Sequence, residues 1–179
     1  MNLNIQNKNA LVCGSTQGIG LATAILLAEE GVNVTLIARN EEKLKKTVAE
    51  LPNKNQCHGY LVADFSKPKE LKEVLASSDL QFHILVNNTG GPAGGPIFKA
   101  KIEEFESAFT QHLKCNHLLV QCLVPFMKTQ CFGRIINVIL TSVKQPEEVA
   151  SAIVFLASEK ASFINGINLP VDGRRTKSL

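Results

Sequence analysis

Three glycines at Gly14, Gly18 and Gly20 follow an apolar run and give the spacing G-x-x-x-G-x-G. Gly14 can adopt backbone angles that other residues avoid. Gly18 leaves the backbone open to a ligand, and Gly20 lets a new helix pack close to the strand before it. Free N–H groups at the start of that helix favour an anion. The segment therefore predicts a cradle for a dinucleotide pyrophosphate, with an ordinary strand-to-helix turn as the alternative. The residues assigned to this cradle are Gly14, Ser15, Thr16, Gln17, Gly18, Ile19 and Gly20.

Arg39 comes directly after the second predicted strand. In dinucleotide folds an acidic residue at this place binds the ribose 2′-hydroxyl of NAD, whereas an arginine suits a 2′-phosphate. Arg39 therefore favours NADP over NAD. The alternative is that Arg39 is an ordinary surface residue at the start of the next helix, with no role in binding the cofactor. We expect Glu41 and Glu42 in the first turn of the next helix, with Asn40 as its cap.

Strand and helix patterns alternate along the chain. Strands are predicted at 9–13, 33–38, 56–62, 82–86 and 135–139, helices at 18–30, 41–51, 68–76, 102–127 and 147–158, and a last short strand within 163–171. This alternation is typical of an α/β protein with a parallel sheet covered on both faces. We expect a single Rossmann-type, doubly wound domain over 1–179.

The composition argues against several classes of protein. A net charge of +3 over 179 residues is too small to argue for nucleic acid. The five cysteines are odd in number and include no C-x-x-C pair, which predicts neither a disulfide framework nor a metal site. Reduced thiols favour a cytoplasmic location. No apolar run reaches membrane-spanning length, and the first residues contain no signal-peptide core.

These residues together resemble the short-chain dehydrogenase/reductase family. The matches are the glycine turn, Asp64, Asn87 to Gly90, and the segments 133–138, 146–150 and 166–173, in the family's order. The chain is most similar to reductases that act on 3-oxoacyl thioesters and similar small carbonyls. The resemblance implies an NADP-dependent oxidoreductase whose partners are a nicotinamide dinucleotide and a small carbonyl substrate.

The resemblance also implies roles for single residues. The glycine turn holds the pyrophosphate, Asp64 and the backbone of Phe65 flank the adenine, and Asn88 and Gly90 line the ribose side. Read from the residues alone, Asp64 could instead cap the following helix. Asn87 and Asn88 could tie strand ends together through their side chains.

The chain departs from the family at its chemistry, which uses a serine, a tyrosine and a lysine. Leu140 stands at the serine position, and Thr141 and Ser142 are out of register. No Y-x-x-x-K occurs, and the single tyrosine, Tyr60, is predicted to pack within the third strand. A helix, a strand and the substrate lid are absent near 145/146, which indicates an internal deletion.

The long helix carries two further candidates. His112 stands where the family often has an asparagine that supports a proton-relay water, and Asn116 lies one turn later. These are the only catalytic candidates that the sequence offers, and a structural or exposed histidine is the alternative.

Three hypotheses follow. The chain is an NADP-dependent oxidoreductase by descent, a catalytically inactive dinucleotide-binding protein, or an oligomerisation module that uses the helix around Leu118, Leu119 and Leu123. For those leucines, packing in the core is the alternative. We expect a homo-oligomer and, without the tyrosine and lysine, no appreciable carbonyl reduction.

Overall fold

The structure, a computed structural model, describes residues 1–78, 81–90, 95–139 and 145–172. Five strands alternate with six helices in this part of the chain. In chain order they are β1 (Asn9–Cys13), α1 (Gly18–Glu29), β2 (Asn33–Ala38), α2 (Glu41–Glu50), β3 (Gly59–Val62), α3 (Pro68–Ala76), β4 (Ile84–Asn87), α4 (Ile102–Phe109), α5 (Cys115–Thr129), β5 (Arg134–Asn137) and α6 (Pro146–Ala157). The predicted α/β architecture is confirmed.

All strand pairs are parallel, and the order across the sheet is β3-β2-β1-β4-β5. Val12 on β1 lies opposite Leu36 on β2 and opposite Val86 on β4. The chain moves outward in one direction through β2 and β3, and in the other through β4 and β5. The direction therefore reverses between β1 and β4, and ligands of open α/β sheets bind at the carboxyl ends of the strands at this point.

Each face of the sheet has its own buried cluster, as a doubly wound fold requires. On one face Val12, Leu36 and Val86 pack with residues of α1, α2 and α6. On the other face Leu11, Ile37 and Leu85 pack with α3 and α5. Full burial of one such aliphatic side chain contributes about 1.5–3 kcal/mol, so these alternating strand residues hold β1 rigidly beneath the glycine turn.

The predicted continuous helix over 102–127 is interrupted. A π-helical turn at Thr110–Lys114 separates α4 from α5, and α5 continues to Thr129. A π turn widens the helical repeat by one residue, which changes the direction of the side chains on it. For two of the three leucines proposed as an oligomer surface the core alternative holds, because Leu119 and Leu123 are completely buried. Leu118 is half-buried.

The predicted last strand within 163–171 is wrong. The described residues there form no strand, and Ile164, Ile167 and Leu169 are substantially exposed. The alternation of apolar residues is that of a strand, but a strand needs a neighbour about 4.8 Å away. Instead, a cavity of about 800 Å³ lies between β5 and this segment.

None of the helices in the four described ranges is both long enough and apolar enough to cross a lipid bilayer.

Candidate functional site

Gly14 ends β1 in a conformation that only glycine adopts easily. Its φ is +58°, and a Cβ added here would lie 2.0 Å from the backbone oxygen of Asn88. The Gly14 N–H donates to the Ile37 carbonyl oxygen at 3.0 Å, which ties the turn to β2. A larger residue would have to displace the backbone of Asn88, which directly follows β4, so the turn is fixed between β2 and the end of β4.

Gly18 and Gly20 differ in their surroundings. Gly18 has a φ of +57°, and apart from its chain neighbours and the backbone of α1 no atom of the described residues lies within 4 Å of the place a Cβ would take. A Cβ on Gly20 would lie 2.4 Å from the carbonyl oxygen of Gly14. Gly20 therefore allows α1 to rest on the turn, while Gly18 borders open space through which a ligand can reach the backbone.

The amino terminus of α1 is free to hold an anion. Gln17 precedes it in an extended conformation without a side-chain capping bond, and the first turn carries no acidic residue. The Ser15 hydroxyl is fully buried and has no hydrogen-bond partner among the described residues. Uncapped helix N–H groups and an unpartnered buried hydroxyl are donors that suit the oxygens of a pyrophosphate. The residues present therefore fit the dinucleotide that the sequence predicts.

Two asparagines at the end of β4 connect the strands around the turn. Asn88 Nδ2 donates to the carbonyl oxygens of Cys13 and Gly14, at 3.3 Å each. Asn87 Nδ2 donates to Asn137 Oδ1 at 2.8 Å. Both side chains thus tie strand ends, the alternative role considered for them, and Asn88 does so at the glycine turn itself. Gly90, two residues later, is exposed beside open space.

Arg39 and Asp64 stand at the carboxyl ends of the paired strands β2 and β3. Asp64 Oδ1 accepts a hydrogen bond from the Ser66 N–H at 2.9 Å, so the carboxylate closes a turn ahead of α3. Partial burial raises the pKa of Asp64, but the Ser66 bonds and the charges of Arg39 and Lys67 outweigh it, and the net pKa is lowered. Arg39 is exposed, and its guanidinium can reach a ligand at this edge.

Phe65 contributes packing and a backbone contact. Its side chain is buried in the cluster under α3 and α5. Its carbonyl oxygen accepts a hydrogen bond from the Cys115 thiol at 3.1 Å. That bond fixes the backbone at the position where the resemblance places the adenine.

His112 is brought to the end of β4 by the π-helical turn. Its Nδ1 lies 2.5 Å from the Thr89 hydroxyl oxygen. Asn116 Oδ1 is buried and has no partner among the described residues. Sequence reasoning gave Thr89 no role, although its position after Asn88 at a strand's carboxyl end was a signal for one.

The other positions considered for the chemistry do not join this group. The Tyr60 hydroxyl donates to Glu41 Oε1 at 3.3 Å on the outer strand β3, two strands from β1, as expected for a packed strand aromatic. Leu140, Thr141 and Ser142 lie outside the described residues. Among the residues that the structure does describe, no three metal-binding side chains come together.

Known proteins share both the sequence pattern and the fold. 3-Oxoacyl-(acyl-carrier-protein) reductase FabG of Staphylococcus epidermidis is 35% identical over 141 residues, which are 76% of this chain and 57% of that protein. The chain thus spans little more than half the length of this relative. A solved L-sorbose reductase of Gluconobacter frateurii, complexed with NADPH and L-sorbose, is 27% identical with a TM-score of 0.69, over 91% of this chain and 66% of that one.

A second solved structure shares the fold, and most of the chain matches a known family. A putative betaketoacyl-ACP reductase is 22% identical, with a TM-score of 0.83 over 95% of this chain and 98% of that one, which shows the shared fold. Residues 8–164 match the family described as short chain dehydrogenase. The match includes all five strands and the glycine turn, and the chain belongs to the short-chain dehydrogenase family.

Proposed function

We propose that this chain binds NADP(H) at the glycine turn and is an oxidoreductase of the class that reduces 3-oxoacyl-type carbonyls. The observation that carries the proposal is the open space at Gly18, next to the uncapped start of α1 and to the Ser15 hydroxyl, which has no hydrogen-bond partner in the described part of the chain. Donors that converge on an open space at a strand-order reversal are what a dinucleotide pyrophosphate needs.

NADP is proposed over NAD because of Arg39. An exposed guanidinium at the end of β2 offers charge-assisted hydrogen bonds to a 2′-phosphate. The charge of Arg39 lowers the pKa of Asp64, so the two side chains are close to each other at the same edge of the sheet. The solved L-sorbose reductase complex with NADPH supports the proposal from a 27% identical protein.

The remaining site residues have proposed roles around the same ligand. The backbone of Ser15 to Gly20 receives the pyrophosphate, Asp64 and Phe65 border the adenine, and Asn88 and Gly90 border the ribose. The bound dinucleotide supplies a hydride for reduction of a carbonyl. Asn88 holds the turn in place by donating a side-chain hydrogen bond to the Gly14 carbonyl oxygen.

His112 is the proposed proton carrier of this chain. Its Nδ1 is engaged by the Thr89 hydroxyl, so Nε2 is the ring atom left to exchange a proton. One turn later, at the start of α5, the buried Oδ1 of Asn116 has no partner among the residues that the structure describes and provides an acceptor for a relay water.

A second candidate function is dinucleotide binding without turnover, and the observation behind it is the placement of Tyr60. The single tyrosine of the chain is bonded to Glu41 on the outer strand and so takes no part in the site. General acid catalysis contributes about 10²–10⁴-fold, and with Tyr60 outside the site this chain depends on His112 for it.

Binding and turnover should be measured separately. Titration with NADPH, followed by its fluorescence, tests the site, and NADPH oxidation with a 3-oxoacyl thioester tests the reaction. Saturable binding with turnover that His112→Ala abolishes supports the oxidoreductase with a histidine acid. Saturable binding without turnover supports the second function, and a folded chain without binding contradicts both.

Self-association stays a prediction. α4 and the π-helical turn present four exposed apolar side chains at helical spacing, Ile102, Phe105, Phe109 and Leu113. A stripe of this kind is one surface that a homo-oligomer could use. The cytoplasmic location inferred from cysteine usage likewise stays a prediction.

A further inference from the structure

The cavity between β5 and residues 161–172 has one polar wall. The N–H groups of Arg134 and Val138 donate to backbone carbonyl oxygens of the neighbouring chain at β4, at 3.0 and 2.9 Å. Backbone groups alternate in direction along a strand, so the N–H and carbonyl groups of Ile135 and Asn137 point away from β4, towards the cavity. Within the four described ranges these backbone groups have no hydrogen-bond partner.

The other sides of this cavity are mainly apolar. The apolar lining on α6 and on the segment 161–172 includes Val149, Ile153, Leu156, Ile164, Ile167 and Leu169. Ligand pockets typically have a volume of about 300–1,000 Å³, an apolar lining and a few polar groups, and this cavity has about 800 Å³. An unpaired strand edge that faces apolar side chains favours an extended ligand with amide groups on one side and hydrocarbon on the other.

The amino end of β5 gives the cavity a positive charge. Arg134 is the one cation among the residues that line it. Its guanidinium donates to the Ser158 and Gly133 carbonyl oxygens, at 3.3 and 2.9 Å, which uses two of its five N–H donors. The remaining donors suit an anion at this end. Asp172, the one acidic residue of the lining, is the last described residue of the opposite wall.

The carboxyl end of β5 adjoins the proposed cofactor site. Asn137 Oδ1 accepts a hydrogen bond from Asn87 Nδ2 at 2.8 Å, and the next residue, Asn88, donates to the Gly14 carbonyl oxygen. From this end, the four-residue step along β5 back to Arg134 covers about 13 Å. A ligand of that length therefore reaches from the cation to the edge of the sheet where the dinucleotide is proposed to bind.

We propose that this cavity binds the phosphopantetheine arm of an acyl thioester, with the sulfur at the carboxyl end of β5 and the phosphate at Arg134. The arm has about 13 bonds from sulfur to phosphorus, and an extended chain advances about 3.3–3.6 Å for every three backbone bonds, so the arm spans about 15 Å. Each of its two amides has one donor and one acceptor, as do Ile135 and Asn137, and its methyl groups meet the apolar wall. The inference rests on the proposed function, because it assigns a carrier to the carbonyl substrate of that site.

Two ligands test the phosphate contact. In isothermal titration calorimetry, 4′-phosphopantetheine should bind the wild-type chain saturably and at least about tenfold more tightly than pantetheine, which lacks the phosphate. Arg134→Gln should abolish this preference. Lys160→Gln removes an exposed cation outside the cavity lining, so it is the matched control and should leave the preference unchanged. An equal loss in both variants would overturn the contact with Arg134.

Filling the cavity tests the position of the arm without changing Arg134. Ala152 is half-buried on α6 and lines the cavity, whereas Ser151 beside it is exposed and does not. Ala152→Phe should weaken phosphopantetheine binding at least about tenfold, and Ser151→Phe should leave it unchanged. Ile135→Pro removes one N–H that faces the cavity and keeps the bonds to β4, so it should also weaken binding. Circular dichroism shows whether each variant is folded.

NADPH titration of the same samples separates this inference from the proposed function. A folded chain that binds NADPH but not phosphopantetheine would overturn the inference and leave the cofactor site standing. Binding of phosphopantetheine without NADPH would support the cavity site and contradict the proposed function. Phosphopantetheine binding that is unchanged in folded Ala152→Phe would place the arm elsewhere and overturn the inference.

The same arm occurs in coenzyme A and in acyl carrier protein. Titration of the wild-type chain with coenzyme A and with phosphopantetheinylated acyl carrier protein distinguishes these sources, and the one that binds more tightly is the carrier. Ala152→Phe should weaken the binding of that carrier as it weakens the binding of the free arm. A carrier that binds equally well to Ala152→Phe would contact only the outer surface and count against the inference.

Discussion

Asn88 and Gly14 fix each other's positions at the centre of the site. The Asn88 side-chain amide donates to the Gly14 carbonyl oxygen at 3.3 Å, and the Asn88 carbonyl oxygen occupies the place that a Cβ on Gly14 would need. The end of β4 and the glycine turn after β1 are therefore one rigid unit. Any change on either side of this contact should alter both stability and cofactor binding.

Replacing Asn88 tests the side-chain half of this contact. Asn88→Ala removes the bonds to Cys13 and Gly14 and leaves their carbonyl oxygens without that donor. We expect the free energy of unfolding in urea to fall by about 1–2 kcal/mol and NADPH affinity to fall with it. Asn168→Ala, at an exposed position, is the control and should change neither quantity. Unchanged stability for Asn88→Ala would show that the contact is not maintained in solution.

Gly14 and Gly18 should respond differently to alanine. Both have positive φ, which costs a residue with a Cβ about 1–3 kcal/mol. Gly14→Ala adds a clash with the Asn88 backbone, so its loss of stability should be clearly the larger. Gly18→Ala meets open space, so the chain should stay folded while the methyl group occupies the approach to the pyrophosphate.

Thermal denaturation and NADPH titration of the two glycine variants check this contrast. Gly18→Ala should lose binding at a temperature where its circular dichroism is still native. Full NADPH affinity in a folded Gly18→Ala variant would mean that the ligand does not approach the turn here.

Arg39→Ala should reduce the preference for NADPH over NADH. Loss of a guanidinium from a phosphate removes charge-assisted hydrogen bonds, so NADPH should bind about tenfold or more weakly while NADH binding is little changed. The wild-type preference should also decrease with added salt, because Arg39 is exposed. Lys43→Ala, an exposed cation in the adjoining helix α2, is the matched control. An equal effect of both variants would indicate general charge attraction instead of a specific contact.

The Cys13 thiol should make stability fall at alkaline pH. Burial raises the pKa of Cys13 to about 12, whereas an unfolded cysteine ionises near pH 8.5. Between these values the unfolded state binds fewer protons than the folded state, so the free energy of unfolding falls by up to about 1.4 kcal/mol per pH unit. Comparing urea denaturation at pH 8 and 10 should show a smaller fall for Cys13→Ala than for wild type. Cys57→Ala, at an exposed cysteine, should behave as wild type.

The first half of the chain could be predicted closely because local signals agree there. β1 and β2 have the predicted bounds, 9–13 and 33–38, and the Asn40 side chain caps α2 by accepting a hydrogen bond from the Lys43 N–H. The conformations of Gly14 and Gly18 follow from the turn that the spacing demands. In this region, propensity, capping and burial all favour the same structure.

The structure of the second half was harder to predict from the sequence, because it depends on contacts between residues that are far apart in the chain. The π-helical turn brings His112 to Thr89, which lies 23 residues away, and a helical pattern carries no sign of such a bond. The segment 163–171 has the apolar alternation of a strand, but pairing requires a neighbour, and β5 lies across a cavity. A local sequence pattern predicts the secondary structure that a segment prefers, but it does not show whether a neighbouring strand is present to pair with it.

Titration of the folded wild-type chain with NADPH is the decisive test of the nucleotide site at the glycine turn. We expect saturable binding of one NADPH per chain, at least about tenfold tighter than NADH, and lost in Gly18→Ala. Circular dichroism on the same sample should show that the chain is folded. A folded chain that binds neither nucleotide would show that the glycine turn, the start of α1 and Arg39 do not form a dinucleotide site.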